Sequence, residues 1–161
     1  MRLIFIRHGD PDYEKDSLTE KGWKEAALLA ERAALWDISD IYCSPLGRAK
    51  ATASCFLEKS GRKAEVFDWL QEFPVKVFRE DLGRMKVPWD MKPSYWTKEE
   101  AYYDKDRWTE APLMKTAPVK EAYDKICSGI DQLLLKYGYE RHGGYYLRRN
   151  PEEDDQEKNI V

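Results

Sequence analysis

The sequence predicts an α/β fold, a mainly parallel sheet with helices on its faces. Three observations carry this reading. Strand-like runs stand at residues 2–6, 38–44 and 63–70, and the first, Leu3-Ile4-Phe5-Ile6, does not alternate with polar residues. That pattern suits a parallel strand covered on both faces. Helical patterns fill the intervals, so the order is βαβαβ. The length, 161 residues, suits one domain with a sizeable core.

Each element follows from local chemistry. Residues 2–6 form the first strand, and Asp10-Pro11-Asp12 breaks it into a loop. Thr19 is the expected N-cap of a helix over about 20–35, with Glu20 in the first turn. Ala26, Leu29, Ala30 and Ala33 keep helical spacing there. "ISDIYCS" at 38–44 reads as a second buried strand, ending in Ser44. Pro45 is expected to open the next helix, which stops near Gly61. "KAEVFDWL" at 63–70 is the third strand.

Residues 73–118 change character, with many charges, several prolines, and Trp89, Tyr95, Trp96, Tyr102, Tyr103 and Trp108. They read as an aromatic-rich insertion within a single domain of 1–161, lying over one end of the sheet. Glu99–Asp106 is expected as a short helix. The aromatic rings are expected mainly as packing. Val119, Ala122, Tyr123, Ile126, Ile130, Leu133, Leu134 and Tyr137 form an apolar stripe that predicts a helix over 118–137. Gly138 is placed to follow its last turn. "YERHGGYYLRR" reads as a hairpin turning at Gly143-Gly144. An acidic loop follows, with the run 152–157 solvated, and "EKNIV" at 157–161 reads as the start of another strand.

Composition excludes several classes. The chain is 42% hydrophobic and 35% charged, with a net charge of −3. That is an ordinary globular mixture, with no overall field favouring nucleic acid or an anionic membrane. Cys43, Cys55 and Cys127 form no CxxC pattern, which argues against a disulfide framework and a zinc site. The apolar run at 3–6 is too short for a secretory leader, and nothing approaches the ~20 apolar residues of a membrane span. A cytoplasmic location is the default expectation.

Ligands of open α/β sheets bind outside the carboxyl ends of the strands. The first strand ends in Arg7-His8-Gly9. The second ends in Ser44, with Arg48 one helical turn further on. The third is followed by Glu72. This set suits phosphoryl transfer to an imidazole. Free histidine has a pKa of ~6.5, so a neutral, nucleophilic imidazole is available near pH 7. Guanidinium groups match phosphoryl oxygens with paired hydrogen bonds that lysine cannot reproduce. Glu72 could protonate the leaving oxygen and then activate water. No metal or other cofactor is called for, because the arginines supply the positive charge. Blander readings exist: a hydrogen-bonded strand-end role for His8, a strand terminator for Arg7, an N-cap for Ser44, a solvated helix residue for Arg48. Glu80 or Asp81 could take the place of Glu72.

"IRHG" at 6–9, "LTEKG" at 18–22, "CSPLGRAKATA" at 43–53 and "LQE" at 70–72 resemble, in that order, the histidine phosphatases, or phosphoglycerate mutase-like superfamily. The resemblance covers roughly the first half of the chain. It implies a three-layer α/β/α fold with His8 as the phosphorylated nucleophile. It also implies Arg7 and Arg48 as the phosphoryl clamp, Glu72 as acid/base, and Ser44 as a further phosphate contact. The expected function is hydrolysis of a small phosphomonoester through phosphohistidine. A phosphoglycerate mutase-type transfer, or a non-catalytic phosphate-binding module, is the alternative. The expected partner is a small phosphorylated substrate, not nucleic acid or membrane.

Two departures stand out. Asp10 follows RHG where the family usually has Glu or Gln. The family also places a second histidine late in the chain, at the end of another central strand. The other histidine here, His142, has no apolar strand before it and reads as a hairpin residue. The chain is therefore expected to be a truncated form with its C-terminal part missing. It should be weak or inactive as a catalyst, and should associate with itself through an incomplete sheet.

Overall fold

The computed structural model describes residues 1–151 and 158–161. The acidic run at 152–157, expected as a solvated loop, lies outside the described residues. Elements run in the order β1 (Arg2–Leu3), β2 (Pro11–Asp12), β3 (Ser17–Leu18), α1 (Glu20–Ala33), β4 (Ile38–Asp40), β5 (Tyr42–Cys43), α2 (Gly47–Ser60) and β6 (Glu65–Val66). Then come β7 (Val77–Arg79), β8 (Arg84–Lys86), α3 (Pro93–Trp96), α4 (Val119–Lys136), β9 (Tyr139–His142), β10 (Tyr145–Arg148) and β11 (Asn159–Ile160). The fold is mixed α/β with a parallel sheet, as expected. Two compact units form: Met1–Gln71 with Arg148–Val161, and Glu72–Leu147. No helix among the described residues is long and apolar enough to cross a membrane.

The first unit is built on the parallel sheet. β11 lies between β1 and β4, parallel to both. The Ile4 amide donates to the Ile160 carbonyl at 2.7 Å and the Tyr42 amide to Val161 at 2.7 Å. β5 continues β4 and pairs in parallel with β6. The strand expected from "EKNIV" is therefore present, and it is central. α1 and α2 pack against each other, α1 presenting the buried small residues Gly22, Ala26, Ala30 and Ala33. Ala33, with Phe56 and Leu57 of α2, gathers around Ile38 and Ile41.

Three expectations for this unit need correction. The first strand is not covered on both faces: Leu3 and Ile6 are exposed, and Phe5 is 75% exposed. Cover from the helices centres on β4, and β1 is an edge strand whose one partner among the described strands is β11. The second helix starts at Gly47, not Pro45. Its first amides are taken by the side chain of Asp16, so the chain at Pro45-Leu46 turns before it winds. The third strand shrinks to Glu65–Val66, followed by a 3-10 turn over Asp68–Leu70. It too is an edge, its one partner among the described strands being β5.

The second unit has its own core of Val77, Met91, Ala111, Met114 and Val119. Tyr95, Trp96, Tyr102 and Trp108 pack on it, so these rings of the aromatic stretch are packing residues. Trp89 and Tyr103 are exposed. The helix expected over 99–106 is a single 3-10 turn at Glu100–Tyr103. Beyond it the Asp104 carboxylate accepts the Asp106 amide at 2.8 Å, a local turn that competes with helix. β7 and β8 form an antiparallel hairpin. α4 occupies 119–136, and Gly138 turns the chain at φ +82°. β9 and β10 pair as a hairpin, with Gly143 in its turn at φ +63°. His142 sits exposed at the end of β9, a hairpin residue as its sequence context suggested.

Candidate active site

The segment after β1 is held by its backbone. The Gly9 amide donates to Thr52 Oγ1 at 3.0 Å, and Thr52 donates to the Arg48 carbonyl one turn earlier in α2 at 2.9 Å. The Asp10 amide donates to Glu25 Oε2 at 2.8 Å. Thr19 caps α1 through the Gly22 amide at 3.1 Å, as expected, and its hydroxyl donates to Asp10 Oδ2 at 2.7 Å. The loop thus hangs between the N-terminal halves of two helices.

Glycines make that approach possible. A Cβ on Gly22 would lie 2.2 Å from the Asp10 carbonyl oxygen, and one on Gly9 would lie 2.8 Å from the Gly22 oxygen. Neither contact tolerates a side chain. The glycines of "RHG" and "LTEKG" are therefore one packing contact seen from two sides.

His8 is half-buried. Its Nδ1 lies 2.8 Å from the Gly9 carbonyl oxygen. A carbonyl oxygen only accepts, so Nδ1–H donates and carries the ring proton. The lone pair is left on Nε2. The Tyr13 ring meets the imidazole edge-on, with centroids 6.4 Å apart. Arg48, buried near the start of α2, places its guanidinium carbon 5.4 Å from the centre of that same ring. The structure thus brings both His8 and Arg48 against the Tyr13 ring.

Asp16 completes the group. It accepts the Gly47 amide at 2.6 Å and Arg48 Nη1 at 2.8 Å. The Gly47 amide foremost, with Arg48 adding to it, holds the Asp16 carboxyl below its usual pKa despite some opposing desolvation.

The remaining candidates divide. Arg7 is exposed beside His8 and has no hydrogen-bond or ion-pair partner among the described residues. Its guanidinium is open to a ligand. Ser44 directly follows β5, and its Oγ accepts the Leu46 amide at 3.3 Å. It shapes the turn into α2 but is not the N-cap, which is Leu46. Glu72 is the first residue of the second unit, exposed, in the segment before β7. Asp81, considered as its substitute, is bound at both oxygens by Arg79, at 2.8 and 2.7 Å. Those bonds keep its carboxyl well ionised and unsuited to donating a proton. Among the described residues no group of three or more His, Cys, Asp or Glu is arranged to hold a metal ion.

Sequence reasoning overlooked Asp16, Tyr13 and Glu25. Thr52 and Gly22 lay within the quoted motifs, but without a role. Asp16 gives no local signal, because its partners lie 31 and 32 residues away.

His8, in the loop after β1, and Arg48, in the first turn of α2, thus meet one tyrosine ring beside a parallel sheet in an α/β fold. The profile of the histidine phosphatase superfamily (branch 1) matches residues 3–136, and the chain belongs to that superfamily. A probable phosphatase of Schizosaccharomyces pombe is 36% identical over 67 residues, 36% of this chain and 32% of that protein. The match thus spans about a third of that relative's length. The alpha-ribazole phosphatase of Shigella flexneri shares the fold at a TM-score of 0.54 and 20% identity, over 99% of this chain and 71% of that one. A phosphoserine phosphatase of Entamoeba histolytica, solved with 3-phosphoglyceric acid, gives 0.51 and 20%, over 99% and 72%.

Proposed function

We propose that the chain is a phosphatase that hydrolyses a small phosphomonoester through a phosphohistidine on Nε2 of His8. The observation that carries this reading is the Nδ1–H bond to the Gly9 carbonyl, 2.8 Å long. It fixes the tautomer and leaves the basic nitrogen at Nε2, on a ring that shares the Tyr13 side chain as a neighbour with Arg48. Membership of the superfamily and the phosphatase name of the fungal relative support the same activity.

Nε2 attacks phosphorus and the ester oxygen leaves, taking a proton from Glu72. Water then attacks the phosphohistidine, giving its proton back to Glu72, and releases inorganic phosphate and neutral His8. Arg7 and Arg48 bind the phosphoryl oxygens and stabilise the charge that develops on them. Ser44 is the further phosphate contact. The role of Glu72 rests on its place in the "LQE" motif. The reaction needs no metal.

The test is a panel of phosphomonoesters, p-nitrophenyl phosphate among them, assayed with the full chain in chelator. Release of inorganic phosphate from at least one member, unchanged by chelation, is expected. Phosphate returned to a phosphoglycerate instead of water would indicate a mutase. Phosphate binding with no turnover of any ester would reduce the chain to a binding module.

A further inference from the structure

Arg48 sits near the start of α2 with a long side chain that has many rotamers to lose. A guanidinium grips a phosphoryl group only when its plane is set before the ligand arrives. We propose that Asp16 is the residue that sets it, holding Arg48 at Nη1 while anchoring the first turn of the helix that carries it. This inference rests on the reading of Arg48 as a phosphate ligand.

The contact is built into the fold. The same carboxylate accepts the Gly47 amide at 2.6 Å, the Arg48 amide at 3.4 Å and Arg48 Nη1 at 2.8 Å. Backbone and side chain of Arg48 are thus referenced to one group. Asp16 adopts φ +45°, a left-handed conformation that non-glycine residues seldom take. A Cβ on Gly47 would lie 2.1 Å from the Asp16 carbonyl oxygen and 3.0 Å from its Oδ2, so only glycine at 47 admits the loop. Lys15, Ser17 and their neighbours do not make these contacts, and Asp16 is bent out of ordinary backbone geometry where it does. The Tyr13 ring lies 5.4 Å from the Arg48 guanidinium carbon. The guanidinium is therefore met by two residues of one loop.

There is a consequence for the anion. Helix N-termini commonly receive phosphate through free amides. Here the amides of Gly47 and Arg48 already hold a resident carboxylate. An incoming phosphoryl group is met by side chains, and their orientation decides affinity. Asp16 touches neither the reacting atoms nor the ligand; it is a positioning residue.

A double-mutant cycle tests this by titrating inorganic phosphate into the full chain as wild type, Asp16→Asn, Arg48→Gln and the double variant, with melting curves for each. Asp16→Asn keeps an acceptor for the Gly47 amide but loses the ionic hold on Arg48. It should weaken phosphate binding about tenfold, Arg48→Gln at least as much, and the double variant no more than Arg48→Gln alone. An undiminished effect of Asp16→Asn in the Arg48→Gln background would show a purely structural role and overturn the inference. So would wild-type affinity, or a gain in affinity, in Asp16→Asn when Arg48→Gln weakens binding; the site reading would then survive alone. If Arg48→Gln changes nothing, the site reading fails and takes the inference with it. Should Asp16→Asn not fold, Asp16→Ser enters the same cycle with the same criteria, because a hydroxyl can still accept an amide but carries no charge to hold Arg48.

Discussion

The two units each bury an arginine, and they use it in opposite ways. In the second unit, Arg79 is closed off. Its Nε and Nη2 meet Asp81, its Nη1 meets Asp90 at 2.8 Å, and its guanidinium carbon lies 5.8 Å from the centre of the Tyr95 ring. Two carboxylates surround one cation, so the charge is spent on holding the β7–β8 hairpin to the segment after it. In the first unit, Arg48 meets one carboxylate, Asp16, and the ring of Tyr13, which also meets the His8 imidazole. Burial of an arginine says little about its role. What surrounds it decides whether it braces the fold or binds an anion.

The largest expected effect separates the two histidines. His8→Ala should lower phosphomonoester turnover about a thousandfold or more with little change in melting. His142→Ala, on an exposed hairpin, should leave turnover unchanged. Equal losses for both would erase the distinction between the units.

The two arginines come next. Arg48→Lys should lower turnover by about 10–100-fold, since a point charge cannot replace a planar fork. Arg79→Met should lower Tm while leaving phosphate affinity intact, as read by calorimetry and titration. A drop in phosphate affinity in Arg79→Met would show that its network also serves the site.

Packing gives a third contrast. Met114, fully buried, should cost about 2–5 kcal/mol of stability when cut to alanine. Gly22→Ala forces a Cβ to within 2.2 Å of the Asp10 oxygen. It should destabilise the chain and also displace His8, so activity falls further than the melting temperature explains.

Acid should separate them again. Bonds from Arg79 and Lys86 hold the Asp81 and Asp90 carboxyls below their usual value. A depressed pKa in the folded state adds stability that is fully present above the unfolded value near 3.8 and is lost as pH falls through the folded value. Arg79→Met should flatten that acid limb. Denaturant melts between about pH 2 and 6 would show it, and an unchanged slope would remove Arg79 as the cause.

The smallest effect concerns the edge strand. Phe5, two residues beyond β1, is 75% exposed, and the outer edge of β1 has no strand partner among the described residues. We propose weak self-association of the chain through this edge, visible in sedimentation and suppressed by Phe5→Lys. Monomeric behaviour at high concentration would remove this proposal.

Legibility in the sequence followed the range of the interactions. The cap at Thr19, the α4 stripe, the turn at Gly138 and the Gly143-Gly144 hairpin rest on neighbouring residues, and all appear where the sequence places them. His8 and Arg48 were readable because strand ends and helix starts sit together in parallel sheets. Asp16 was not, since its partners lie a helix and three strands away. The length of the edge strands was not either, because pairing on one side alone is a property of the whole sheet. In the second unit, the sequence marked the aromatic stretch as packing but not the ion cluster around Arg79, whose Asp81 had looked like a candidate acid.

The central claim is that the Gly9 carbonyl, by holding Nδ1–H, turns His8 into a phosphoryl acceptor at Nε2. Rapid-quench labelling with a ³²P-phosphomonoester, followed by mapping of the labelled residue, tests it most directly. The account predicts an acid-labile, base-stable phosphate on Nε2 of His8 that is absent from His8→Ala and retained in His142→Ala. Turnover with no label on His8, or label on another residue, would contradict it.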